Sequence, residues 1–284
     1  MINVLSIDVE DYWAIFGRDW LKQNDALPSE AVLCNTRWYL DFLGERNIKA
    51  TFFILGEVAK AYPELVEEIA GQGHEIAVHG FSHKQIFRLN RAEFINEVGD
   101  AKKLLEDISG QEVIGHRAPA FSINYETKWA LDVLAELGYK YDSSISPMAG
   151  SRYGWPNFKK EIHRMQIEGD QSIIEVPMST VSFVVKELCV GGGYLRHFPY
   201  LFTKIAMKHI QKKRPVILYM HPYEIDTKEL EVSFECLSET EKRRVLKFHR
   251  LQMRNRHTIK QKMEKLCSDF NFTTIKNLIE NADI

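Results

Sequence analysis

The chain has 284 residues, 45% of them hydrophobic and 27% charged, with a formal net charge of -2. That length holds one large α/β domain or two smaller ones around a substantial core. The near balance of charge offers no basic field, so nucleic acid is set aside as a partner.

Cys34, Cys189, Cys236 and Cys267 are scattered, with no CxxC pair. Reduced thiols and a cytoplasmic protein, at most associated with the inner membrane face, are expected rather than a disulfide frame or a structural zinc knot. The apolar start Met1 to Ile7 is cut short by Asp8 and lacks a basic flank or cleavage site, so no secretory signal is expected. No apolar run reaches the roughly 20 residues of a transmembrane helix.

Val4 to Val9 reads as a short buried strand that ends in the acidic run Asp8-Val9-Glu10-Asp11. Ser29 is a cap candidate for a helix to about Glu45, and Lys49 to Leu55 is β-branched and aromatic enough for a second strand. Tyr62-Pro63-Glu64 opens a helix that Gly71-Gln72-Gly73 ends, before a third strand at His74 to Val78. Helices at about 91–109 and 124–137 flank a short strand near Val113 to His116. Tyr139 to Tyr141, Ser172 to Val176 and Pro215 to Tyr219 continue the strand series. A looser stretch spans about 144–198, a charged helix about Glu239 to Cys267, and a strand-like Phe270 to Phe272 ends the series. Strands alternating with helices predict a parallel sheet, open or closed into a barrel. Without repeats or low-complexity linkers, residues 1–284 are expected to form a single domain, with about 228–284 as a C-terminal extension packed on it.

In such folds ligands gather where the parallel strands end at their C-termini. The acidic run, His79-Gly80-Phe81-Ser82-His83, His116-Arg117-Ala118-Pro119 and Tyr219-Met220-His221-Pro222 all follow strands, so four polar clusters are predicted at one edge. His79 and His83 stand four apart; in a helical segment both imidazoles could reach one metal ion. Three acids in four residues are costly without a counter-cation, which a metal supplies. Each group also has a plainer use: an acid as a helix cap, His221 as a core histidine, Arg117 as a surface charge. Aromatic residues such as Trp13, Phe121, Tyr125, Trp155 and Tyr194 are packing by default, though a few at a groove would suit stacking on sugars.

Ser6-Ile7-Asp8-Val9-Glu10-Asp11, His79-Gly80-Phe81-Ser82-His83, Arg117-Ala118-Pro119 and Leu218-Tyr219-Met220-His221-Pro222 resemble, in order, the motifs of polysaccharide deacetylases. These are the NodB-homology enzymes of carbohydrate esterase family 4, and the resemblance covers about 1–225. Gly191-Gly192-Gly193-Tyr194-Leu195-Arg196 and the C-terminal helix resemble the branch associated with exosortase and exopolysaccharide loci.

The resemblance implies an α/β fold, a distorted (β/α) barrel of about seven parallel strands with a C-terminal helical elaboration. It implies a divalent metal, zinc ahead of cobalt, nickel, manganese or iron, on His79, His83 and a carboxylate. Glu10 is the matching carboxylate and Asp11 its alternative. Asp8 is then the base, Arg117 its tether and His221 the acid, with Pro119, Phe121, Tyr194 and Tyr219 toward the substrate. The implied reaction removes N-acetyl groups from amino sugars of a polysaccharide or its oligosaccharide precursor, free or lipid-linked, and releases acetate. The alternatives are a non-catalytic carbohydrate-binding relative and a metal-free hydrolase of a small cyclic amide.

Overall fold

A computed structural model describes residues 1–150, 154–167, 170–183, 186–228, 234 and 236–281. Its central strand, β1 (Asn3–Val9), is buried at every position, as expected of a parallel strand covered on both faces. The others are β2 (Thr51–Ile54), β3 (Glu75–Val78), β4 (Gly115–His116), β5 (Tyr141–Asp142), β6 (His163–Gln166), β7 (Ser172–Glu175), β8 (Thr180–Phe183), β9 (Lys186–Cys189), β10 (Ile217–Met220) and β11 (Phe272–Thr273).

The sheet runs β10-β1-β2-β3-β4-β5-β7-β6. The seven strands from β10 to β7 are parallel, and β6 returns antiparallel on β7. β11 adds to the start of β1, and β8 and β9 form a separate hairpin. The sheet curls into a half-barrel, and among the described residues β6 and β10 do not pair. Irregular chain crosses the open side instead. Val176 N–H donates to the Asp142 carbonyl (2.8 Å), Ile217 N–H to Ser179 Oγ (2.8 Å) and Arg214 to the Thr180 carbonyl (3.1 Å), and Gly191 makes a parallel bridge to Tyr219.

Strand alternation divides the core in two. Leu5, Ile7, Val9, Phe52, Ile54, Ile76 and Val78 face the helices. Val4, Phe53, Ala77, Ile217 and Tyr219 fill the concave side. The C-terminal region joins the helix-side core through Ile259, Met263 and Leu266, although residues 229–233, 235 and 282–284 of that region lie outside the described ones.

The expected 239–267 helix is two, Glu239–Met253 and Ile259–Asp269, because Asn255 turns left-handed (φ 62°) between them. Helices Tyr12–Leu21, Gly56–Ala61, Tyr200–Ile210 and Ile275–Glu280 carry no sequence expectation above. Two of them are six-residue pieces and Tyr12–Leu21 is rich in aromatics, so helical periodicity is faint.

The glycine run has a steric cause. Gly191 (φ 114°) crosses Tyr219 so closely that a Cβ would sit 2.3 Å from the Tyr219 carbonyl oxygen, and one on Gly192 would sit 2.6 Å from its ring. Gly191→Ala combines that overlap with a backbone region L-residues avoid, so it should cost about 2–4 kcal/mol of stability. Urea unfolding followed by circular dichroism measures the loss.

Candidate active site

Alternation also aims the site. Asp8, His79, Arg117 and His221 fall on the concave side at the C-terminal ends of β1, β3, β4 and β10. His116, one residue from Arg117, points the other way. It is buried against the rings of Phe94 and Tyr139 and its Nδ1 pairs with Asp142 (2.7 Å), so it belongs to the core rather than to the edge cluster of the sequence expectation.

Arg117 is fully buried, its guanidinium 4.0 Å above the Phe53 ring. Nη1 donates to Asp8 Oδ1 (2.6 Å) and Ser6 Oγ (2.9 Å), Nε to the Ser143 carbonyl (3.1 Å) and Nη2 to Ser143 Oγ (3.0 Å). Asp8 therefore has one oxygen engaged, and Oδ2 faces His221 Nε2 at 4.0 Å.

Glu10 is 5% exposed. Its Oε2 lies 2.8 Å from His83 Nε2 and 3.4 Å from His79 Nε2. Burial opposes its ionisation, yet the charges of His83 and His221 and hydrogen bonds from both loop histidines bring its pKa well below the carboxylate range. Asp11 stands elsewhere: Oδ1 caps helix Tyr12–Leu21 by accepting from Ala14 N–H (2.7 Å), and Oδ2 accepts from Ser29 Oγ (2.6 Å) and Ser29 N–H (3.1 Å). With both oxygens taken up away from His79 and His83, Asp11 is no alternative ligand.

The histidine pair does not lie on a helix. Gly80 (φ 80°) and His83 (φ 58°) are left-handed, so a loop folds both imidazoles toward Glu10. Glu97, which no motif in the sequence singles out, clamps that loop by accepting from Phe81 N–H (3.0 Å), Ser82 N–H (2.9 Å) and Ser82 Oγ (2.6 Å).

One carboxylate and two imidazoles, their donor atoms within 4.8 Å of one another, match the donor set of an open catalytic metal site. His79 Nδ1 lies 2.9 Å from the Arg117 carbonyl and donates there, which leaves Nε2 to meet Glu10. Nε2 carries a proton where it hydrogen-bonds Glu10, and a divalent cation held between the two would take that proton's place. These residues fit a divalent metal.

His221 Nε2 is 3.6 Å from Glu10 Oε1, and its ring stacks on Tyr223 (4.7 Å). Its Nδ1 meets Glu224 Oε1 (3.3 Å), whose Oε2 pairs with buried Arg196 (3.0 Å). Burial lowers the affinity of His221 for a proton, but Glu10, Glu224 and Asp8 outweigh it and raise its pKa above the ordinary value. Glu224, three residues past His221 across a turn opened by Pro222, is a signal the sequence carried unread.

A cavity of about 260 Å³ opens on these groups. Phe121 and Tyr219 line it, as does an aromatic wall of Trp20 and Phe248 with Gln252 beside it. Tyr194 does not reach it; that ring lines a different cavity with Met148 and Lys160. Pro119 is buried beneath the Gly80 turn instead of lining the cavity, because the chain doubles back at left-handed Ala120 (φ 53°).

A half-barrel with a carboxylate, two histidines, an arginine-held aspartate and a second histidine at its strand ends defines the class of protein. Residues 25–141 match the family described as polysaccharide deacetylase, and residues 143–280 a domain of unknown function, DUF3473. Residues 25–141 thus form a polysaccharide deacetylase domain of the NodB-homology type, with the DUF3473 domain after it. It is 36% identical over 94 residues to a peptidoglycan-N-acetylglucosamine deacetylase of Bacillus cereus, covering 33% of this chain and 34% of that protein. A chitooligosaccharide deacetylase of a Bradyrhizobium species is 32% identical over 96 residues, covering 34% and 42%. The chain thus spans between a third and a half of the length of these two relatives. A solved structure from Mycobacterium smegmatis, assigned as a polysaccharide deacetylase, shares the fold at TM-score 0.62 and 19% identity, covering 98% of this chain and 88% of that one.

The donor geometry separates the two acids experimentally. Glu10→Ala and His83→Ala should each lose stoichiometric zinc after dialysis, read by atomic emission. Asp11→Ala should keep the zinc and lose about 1–2 kcal/mol of stability with its cap.

Proposed function

We propose that the protein is a metal-dependent hydrolase that removes N-acetyl groups from amino sugars of a glycan and releases acetate. The observation that carries this reading is the approach of Asp8 Oδ2 (4.0 Å) and Glu10 Oε1 (3.6 Å) to His221 Nε2 at one cavity. The deacetylase relatives support it, and their substrates, peptidoglycan N-acetylglucosamine and chitooligosaccharide, set the class of glycan to try first. A polysaccharide, its oligosaccharide precursor and a lipid-linked intermediate of exopolysaccharide synthesis all belong to that class.

A divalent cation held by Glu10, His79 and His83, zinc ahead of cobalt, nickel, manganese or iron, would polarise the acetamide carbonyl and bring the pKa of water toward about 7. Asp8 Oδ2 accepts the proton of the attacking water, while Arg117 keeps the other oxygen fixed and the carboxylate aimed. Protonated His221 donates from Nε2 to the amide nitrogen, which departs as a free amine as the C–N bond breaks. Glu224 holds Nδ1 so that Nε2 faces the cavity, and Arg196 holds Glu224. Phe121 and Tyr219 add apolar lining to the cavity, against which a sugar can pack.

We read residues 1–284 as one unit, with about 228–284 as an extension packed against the half-barrel. Among the described residues no helix is long and apolar enough to cross a membrane. The four cysteines are free thiols, which a reducing compartment preserves, and that supports a cytoplasmic site of action.

Asp8→Asn should lower kcat for acetate release from N-acetylated chitotetraose by about 10²–10⁴-fold with bound zinc unchanged. Retention of most activity would move the base to another carboxylate. His221 acts in its protonated form, so activity should fall on the alkaline limb. Glu224→Gln removes one of the carboxylates that raise its pKa and should shift that limb to lower pH. The same variant should spare 4-nitrophenyl acetate, whose leaving group needs no proton. A pH–rate profile on both substrates measures the split.

A further inference from the structure

Beside the candidate active site lies a second, open cavity lined by Trp20, Arg244, Lys247, Phe248, Arg250 and Arg254. Trp20 and Phe248 also line the first cavity, so the two share one wall. Their rings stack 4.1 Å apart at 14°, and the Arg244 guanidinium lies 6.0 Å from the Trp20 ring centre. Three exposed cations on the helix Glu239–Met253 and Arg254 just past its end are a concentration of positive charge in a chain whose net charge is -2.

None of the four has an ion-pair partner among the described residues. Among the described residues the neighbouring acids are engaged elsewhere: Glu239 with Lys242 (2.8 Å), Glu241 with Lys22 (2.9 Å) and Asp19 with Arg88 (3.6 Å). A set of cations without a carboxylate partner among the described residues, next to a stacking pair, suits an anionic group carried by a sugar. Guanidinium groups in particular match the planar oxygens of carboxylate and phosphate. A membrane surface is the weaker fit, since Leu251 is the one large aliphatic side chain lining this groove.

We propose that this groove is an oxyanion subsite, and that the glycan bound here carries a phosphate or carboxylate on the unit adjoining the acetamido sugar. Trp20 and Phe248 then present ring faces between the two positions, while Lys247, Arg250 and Arg254 take the charge. The sugar part of this inference rests on the deacetylase reading; the anion part rests on the groove alone.

Isothermal titration calorimetry with the zinc-loaded full chain tests it. The probes are neutral N-acetylated chitotetraose, a tetrasaccharide alternating N-acetylglucosamine with glucuronate, and chitobiose 1-diphosphate. Wild type should bind one or both charged probes at least about tenfold more tightly than the neutral one, and salt should erode that preference. Whichever charged probe keeps the preference identifies carboxylate or phosphate as the source. Lys247→Glu combined with Arg254→Glu, both exposed, should abolish the preference while neutral binding stays within about twofold.

Equal binding of charged and neutral probes by wild type overturns the proposal. So does an equal loss for all probes in the variant, or sedimentation with anionic vesicles without any preference for charged sugars. A persisting preference without acetate release would sink the catalytic reading and leave the oxyanion subsite standing.

Discussion

The site depends on one fully buried guanidinium. Arg117 ties the ends of β1, β4 and β5 together through Asp8, Ser6 and both oxygens of Ser143. A buried charge is tolerated only when its donors are satisfied, and here the cost of desolvation is met by one carboxylate, three neutral oxygens and the face of Phe53. The consequence is directional. One oxygen of Asp8 is immobilised by the pair, so the other has a single orientation, across the cavity from His221. The Arg117 carbonyl meanwhile fixes the ring of His79 through Nδ1, so one residue orients both the proposed base and an imidazole of the candidate metal site.

The second organising constraint is the open side of the half-barrel. No regular strand closes it among the described residues, and chain from the DUF3473 match does so instead, held by Ser179, Arg214 and the Gly191 bridge. That crossing forces the left-handed glycines over Tyr219 and delivers the helix Gly192–His197, which carries Arg196 to Glu224. Gln252 and Arg256 then back Arg196 and the Tyr12–Tyr223 pair from the C-terminal region. Burial pushes the Glu224 carboxyl toward neutrality, but His221, Arg196 and Arg256 hold it below the ordinary range, an anion kept by its surroundings.

The strand series was legible because each buried strand is short, apolar and followed by turn chemistry, and the alternation within β1 and β10 already separates Asp8 and Tyr219 from their neighbours. What stayed hidden was decided by tertiary contacts. The choice between Glu10 and Asp11 depends on where β1 stops and the next helix starts, and that helix is faint in sequence because its aromatics go to a satellite cluster with Phe248. The four-residue spacing of His79 and His83 suggested a helix; the left-handed backbone at Gly80 and His83 reaches the same convergence by a loop, and Glu97 from a distant helix stabilises it. Tyr194 shares a glycine-rich segment with Arg196, yet only the arginine turns toward the site, since six helical residues send neighbours two apart in different directions.

The candidate site is split by the two sequence matches in an informative way. His79, His83 and Arg117 lie in the polysaccharide deacetylase match, Asp8 and Glu10 precede it, and His221 lies in DUF3473. The loop histidines and the arginine therefore come from one stretch, while the proposed acid, its positioning pair and Phe248 of the aromatic wall come from the other, and Trp20 precedes both. A half-barrel ending near residue 141 would hold His79, His83 and Arg117 without His221 or anything to seat a leaving group. The DUF3473 region thus supplies the second half of one cavity, and the differences that select among glycans are to be sought there, along Phe248 and the cations beyond it, where they meet Trp20.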